Sequence, residues 1–123
     1  MELVNILIDT NIALYFLTGD KKLTNLLDNA IIYLSFISEL ELLSYPELDN
    51  KEQESINNFI QECVVVDINP PIKQKTITIW QQSNIKLPDT IIAATAISKQ
   101  LPFLSADKDF AQVHDLQLFS YEL

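Results

Sequence analysis

Five short apolar runs, separated by segments of helical length, constrain this chain more than anything else in it. Leu3 to Ile8 ("LVNILI"), Ile31 to Phe36 ("IIYLSF"), Val64 to Ile68, Phe103 to Ser105 and Leu116 to Ser120 are rich in β-branched or aromatic residues and predict strands. Strands that alternate with helices need crossover connections, which place the strands parallel and put helices on both faces of the sheet. The pattern predicts an α/β layered domain spanning residues 1–123, with no repeat, low-complexity stretch or linker to divide it.

The intervening segments carry helix punctuation. Asn11 to Thr18 is followed by Gly19, the one glycine of the chain, where a left-handed residue ends a helix. Asp20 then suits the cap of a second helix that buries Leu23, Leu26 and Leu27. Asp49 and Glu52 stand at capping-box spacing ahead of an apolar stripe of Ile56, Phe59, Ile60 and Cys63. Asn69, Pro70 and Pro71 open a helix over Ile72 to Gln82 against the β propensity of "TITIW". Thr90 to Gln100, with "IIAATAI", is apolar on nearly every side and predicts a helix inside the domain.

Charge narrows the function. The 17 acids outnumber 8 bases for a net −9, and every base is a lysine. A chain that grips nucleic acid through a broad basic face has the opposite balance, since phosphate neutralisation supplies most non-specific binding energy. Cys63, the sole cysteine, excludes an intramolecular disulfide. The apolar start is interrupted by Asp9 too early for a signal peptide or a membrane span, so a soluble, cytoplasmic protein is expected.

Four acids fall at comparable places: Asp9 after the first strand, Glu41 after the second, Asp89 at the start of the buried helix, and Asp107 after the fourth strand. Each has a structural job available. Asp9 and Asp89 can cap helices, Ser38 and Glu41 match a capping box with Glu39 at the first helical position, and Asp107 and Asp109 suit a turn. Capping, however, tolerates serine, threonine or asparagine and gives no reason to choose a carboxylate repeatedly along one edge. In a parallel sheet the carboxyl ends of the strands meet where ligands bind, and clustered carboxylates repel one another unless a cation is present. Oxygen donors without a histidine or cysteine partner suit Mg²⁺ or Mn²⁺ over zinc, for which His114 and Cys63 are too few.

Taken in order, "LIDTNIAL", "FISELELLSY", "LPDTIIAATAI" and "FLSADKDF" resemble the PIN-domain ribonucleases, especially the small VapC-type toxins, from end to end of the chain. The resemblance implies a three-layer fold with about five parallel strands and a metal-dependent endoribonuclease site at their carboxyl edge. It implies that Asp9, Glu41, Asp89 and Asp107 are the catalytic, metal-holding quartet. Asn11 and Ser105 would orient Asp9 or a metal-bound water, and Asp109 would be an auxiliary acid or an anchor for its turn. It further implies RNA as substrate, products with 5′-phosphate and 3′-hydroxyl ends, an antitoxin partner, and a homodimer. Two departures stand out. Ser44 occupies a position where glycine is common, and the chain lacks arginine, the usual bidentate phosphate binder.

Divalent ions held by carboxylates can bind an anionic phosphodiester, lower the pKa of a bound water and stabilise the leaving oxygen. Two such ions would offset four of the nine net negative charges. Substrate contact then falls to a local patch, with Lys86 and Lys108 nearest in sequence to Asp89 and Asp107, and Lys73 and Lys75 next. Two other readings compete. One is a PIN-like protein-binding module with little or no nuclease activity. The other is a phosphotransfer or phosphohydrolase domain with Asp9 as acceptor, against which "DTN" lacks a second aspartate two residues on.

Overall fold

The computed structural model describes residues 4–122. Twelve elements follow in order: β1 (Asn5–Ile8), α1 (Thr10–Leu17), α2 (Lys21–Leu27), β2 (Ile31–Ser35), α3 (Phe36–Leu43), α4 (Asn50–Glu62), β3 (Val64–Val66), α5 (Pro70–Gln82), α6 (Leu87–Lys99), β4 (Phe103–Ser105), a 3₁₀ turn (Lys108–Gln112) and β5 (Leu118–Ser120). The strands form one sheet in the order β3-β2-β1-β4-β5, and every pairing is parallel. This is the expected α/β architecture. Several strands are shorter than the sequence runs that predict them, and Leu3, expected in the first, lies outside the described residues.

The sheet divides the core by its two-residue period. Leu7 and Phe103 point to a layer built with α5 and α6, while Ile6, Ile8 and Leu104 point to a layer built with α1, α2 and α4. Buried on both faces, the central strands β1 and β4 read as continuous apolar runs, while the edge strands β3 and β5 leave Val64 and Phe119 exposed. α6 buries Thr90, Ile92, Ala93, Ala94, Thr95 and Ala96. Its threonine hydroxyls donate back to the carbonyls of Lys86 (2.9 Å) and Ile91 (2.8 Å), so a helix enclosed on most sides leaves neither unpaired.

The helix ends follow their caps with two exceptions, and one side chain departs from its expected burial. Asp9, Asp20, Asp49 and Asn69 each accept a backbone N–H from the first turn, the Asp49–Glu52 capping box forms, and Gly19 follows α1 with φ of 89°. The tertiary layer overrides the β propensity of "TITIW", because α5 packs Thr76 and Ile79 inward. The first correction concerns α3. Ser35, not Ser38, is the cap, since its side chain at the end of β2 accepts from Ile37, so Ser38 lies inside the helix and forms no capping box with Glu41. The second concerns Asp89. α6 begins at Leu87 with Pro88 in its first turn and Lys86 at the cap position, so Asp89 does not cap it. The third is Leu26, expected in the core but 53% exposed.

Candidate functional site

Strand order reverses between β1 and β4, and the carboxyl ends of these strands open there into a cleft of about 220 Å³. Asp9, Asn11, Glu41, Asp89 and Asp107 all line it. The fold thus gathers four acids that the sequence separates by up to 98 positions.

Asp9 leaves β1 and turns the chain into α1. Its Oδ1 accepts the Ile12 N–H at 2.9 Å, and its Oδ2 accepts the hydroxyl of Ser105, the last residue of β4. Ser105 is buried, and its Oγ also accepts the Asp107 N–H at 3.0 Å. Asp107 in turn accepts the Asp109 N–H at 2.9 Å and starts the 3₁₀ turn. One hydroxyl therefore ties the ends of β1 and β4 together and links two of the acids, Asp9 and Asp107. Glu41, exposed on α3, accepts the hydroxyl of Thr10 at 2.5 Å through Oε1. Asp89 reaches the cleft from the first turn of α6.

The electrostatics carry the same message. Burial pushes the Asp9 carboxyl above its ordinary value; the Ser105 and Ile12 hydrogen bonds oppose this, and the charges of Asp107 and Glu41 add to it. Asp89 is raised by burial first, then by Asp107, Glu41 and Asp9, with Lys86 opposing. Asp9 and Asp89 thus both feel the charges of Asp107 and Glu41. Such a ring of oxygen donors suits a hard divalent cation by donor type and by the repulsion a cation would relieve. As the side chains stand, no three of the Asp, Glu, His or Cys groups among the described residues are close enough together to hold one ion. The four acids nonetheless all line the one cleft.

The remaining candidates lie outside this ring. Asp109 is exposed and serves the Asp107 turn through its backbone. Lys86 and Lys108 are exposed at the starts of α6 and the 3₁₀ turn, and Lys73 and Lys75 lie on α5; none lines the cleft. Sequence reasoning gave no role to Thr10, the threonine of "DTN", or to Tyr45, which lines the cleft half-exposed. A broader depression of about 560 Å³ at the amino end of the sheet, between Leu26, Ala30 and Phe119, is mostly apolar. Cys63 is no alternative centre, since burial pushes its thiol up to about 12 and leaves it protonated.

Comparison with known proteins agrees with this geometry. The model of the PIN domain family matches residues 6–116. Among solved structures, the chain is similar to VapBC2 from Rickettsia felis, bound to a DNA fragment from its promoter, at TM-score 0.83 and 20% identity, covering 97% of this chain and 100% of that one. It is similar to a toxin-antitoxin complex from Klebsiella pneumoniae at TM-score 0.82 and 24% identity, covering 96% and 99%. VapBC-1 from nontypeable Haemophilus influenzae gives TM-score 0.78 and 24% identity over 95% and 98%. No curated protein matches the chain significantly. With its sheet order, its carboxylate-lined switch point and a family match over nearly its whole length, this chain belongs to the PIN domain family.

Proposed function

We propose that the chain is a metal-dependent endoribonuclease, the toxin of a toxin–antitoxin pair, that hydrolyses RNA phosphodiester bonds at the carboxyl edge of its sheet. The observation that carries this reading is the convergence of Asp9, Glu41, Asp89 and Asp107 on one cleft at the topological switch point. The solved VapBC and toxin–antitoxin complexes that share the fold support the antitoxin partner. A homodimer is part of the same proposal, as the family resemblance implies.

Asp9, Glu41, Asp89 and Asp107 would hold one or two Mg²⁺ or Mn²⁺ ions. When bound, such an ion supplies the positive charge that attracts a phosphodiester and acidifies a water. The chain's own residues prepare that chemistry. Ser105 and the Ile12 N–H hold both oxygens of Asp9, so this carboxylate is fixed before any ligand arrives. Asn11, exposed at the rim, can donate an amide hydrogen to substrate or water. Lys86 and Lys108 flank the acids as exposed cations and would meet backbone phosphates, a modest contribution in a chain of net charge −9. By the family's chemistry, products carry 5′-phosphate and 3′-hydroxyl ends.

The test separates capping from catalysis. Asp9→Asn and Asp89→Asn keep side chains of the same shape but remove charge. RNA cleavage by the wild type should require Mg²⁺ or Mn²⁺ and vanish in both variants while the fold persists. Equal cleavage by wild type and variants would overturn the reading. The PIN-like protein-binding module keeps one observation in its favour: Leu40 and Leu43 of α3 stand 53% exposed. A wild type that binds Mn²⁺, captures a partner and cleaves no RNA would select that module.

A further inference from the structure

Glu41 differs from the other three acids of the cleft. Asp9 has both oxygens held, Asp107 is tied into its turn, and Asp89 is half-buried in the first turn of α6. Glu41 is exposed and has a longer, more flexible side chain than any of them. Left to itself, such a glutamate spreads over many rotamers, and few of them face the other acids.

Thr10 removes that freedom. It is the first residue of α1 and directly follows Asp9, so its backbone is set by the same strand-to-helix turn that fixes the first acid. Its Oγ1 donates to Glu41 Oε1 at 2.5 Å across 31 positions of sequence, and lies 3.0 Å from Oγ of Ser38. Ser38 is fully buried and stands one turn before Glu41 on α3, so it anchors the threonine hydroxyl to the helix that carries the glutamate. A β-branched side chain has a restricted χ1, which makes threonine a stiff holder for its hydroxyl.

From this geometry we infer that Thr10 is a positioning residue that aims Glu41 at Asp9 by hydrogen bonding to one carboxylate oxygen, with Ser38 locking the donor in place. The inference rests on the proposed metal-binding role of the acids. Thr10 occupies Oε1, and Oε2 remains the oxygen for the cleft. The effect is to restrict a flexible, exposed glutamate to the few rotamers compatible with the Thr10 hydrogen bond, the kind of outer support that orients ligands elsewhere.

The experiment uses the full chain freed of metal, with Mn²⁺ titrated in a calorimeter and melting followed without metal. Thr10→Val keeps the branched shape and removes the hydroxyl; Thr10→Ser keeps the hydroxyl. Wild type should bind Mn²⁺, Thr10→Val should bind about tenfold or more weakly while melting cooperatively at a somewhat lower temperature, since buried Ser38 loses its partner, and Thr10→Ser should recover most of the affinity. Added to Glu41→Gln, Thr10→Val should weaken binding no further, because its effect passes through Glu41. Should Thr10→Val fail to melt cooperatively, Thr10→Ala in the same cycle decides by the same criterion. Full affinity in Thr10→Val, or additive losses in the cycle, overturns the positioning role alone. Absence of Mn²⁺ binding by the wild type overturns the metal reading and this inference with it.

Discussion

Ser105 donates its hydroxyl to Asp9 across 96 positions of sequence, and the same Oγ accepts the Asp107 N–H at 3.0 Å. A serine at the last position of β4 thereby links two of the four acids and bridges the gap where strand order reverses. The residue is 1% exposed, so water does not replace it. Ser105→Ala should therefore lose about 1–3 kcal/mol in urea denaturation, the cost of leaving buried polar partners unmatched. The hydroxyl also holds the Asp9 pKa down. Without it, the acidic limb of the cleavage profile should move to higher pH.

The metal-free protein should be most stable in acid as far as the cleft is concerned. Asp9 and Asp89 both have folded values above the ordinary 3.8, so the folded state holds their protons more tightly than the unfolded chain does. Their contribution is fully present below 3.8 and is lost as pH rises through the raised values. Melting scans in chelator should show Asp9→Asn matching or exceeding wild type at neutral pH, with the gap closing toward acid. Millimolar Mg²⁺ should raise the wild-type midpoint at neutral pH and leave Asp9→Asn unmoved. A wild-type midpoint lower than that of Asp9→Asn in acid contradicts the assignment.

The sheet and most helix ends were legible because they depend on local patterning. The short β-branched runs, Gly19, Asp20, Asp49 and Asn69 each act within a few residues of themselves. What was not legible depends on packing. Ser38 and Glu41 satisfy a capping-box spacing, yet β2 ends at Ser35 and that serine takes the cap first, which carries Ser38 into the buried side of α3. Asp89 fits a cap in sequence, but Pro88 is better placed in the first turn, which moves the start of α6 upstream. Leu26 matches a helical stripe on α2 of which only Leu23 and Leu27, one turn apart, are buried, and Leu26 falls beside that face. The four acids were legible as a set because parallel topology fixes where strand ends meet; Thr10 was not, because its partner lies on another helix.

Glu39 and Glu41 should separate cleanly. Glu39 is in the first turn of α3, where a negative charge favours the helix dipole by about 0.3–1 kcal/mol, and it does not line the cleft. Glu41 lies further along α3 and lines the cleft with Asp9 and Asp89. Glu39→Gln should leave RNA cleavage and Mn²⁺ affinity at wild-type levels with a slightly lower melting midpoint. Glu41→Gln should abolish cleavage with the midpoint preserved. The reverse pattern would transfer the site to the other face of α3.

Lys86 offers a separate handle on substrate binding. Its charge acts on Asp89, lowering that carboxyl against the effect of burial, so it stands within electrostatic reach of the cleft while remaining exposed. If it meets a phosphate of the RNA, Lys86→Ala should raise KM several-fold at low salt while kcat changes little. The slope of log affinity against log salt should fall by about 0.7, the value for one contact on a single strand. Lys73→Ala, on α5 outside the cleft, is the control that should leave both quantities unchanged. Asp89 adds a second check, because losing Lys86 removes an opposing charge and should move the acidic limb of the cleavage profile upward. A KM that responds equally to Lys73→Ala would show that the lysines act only through net charge.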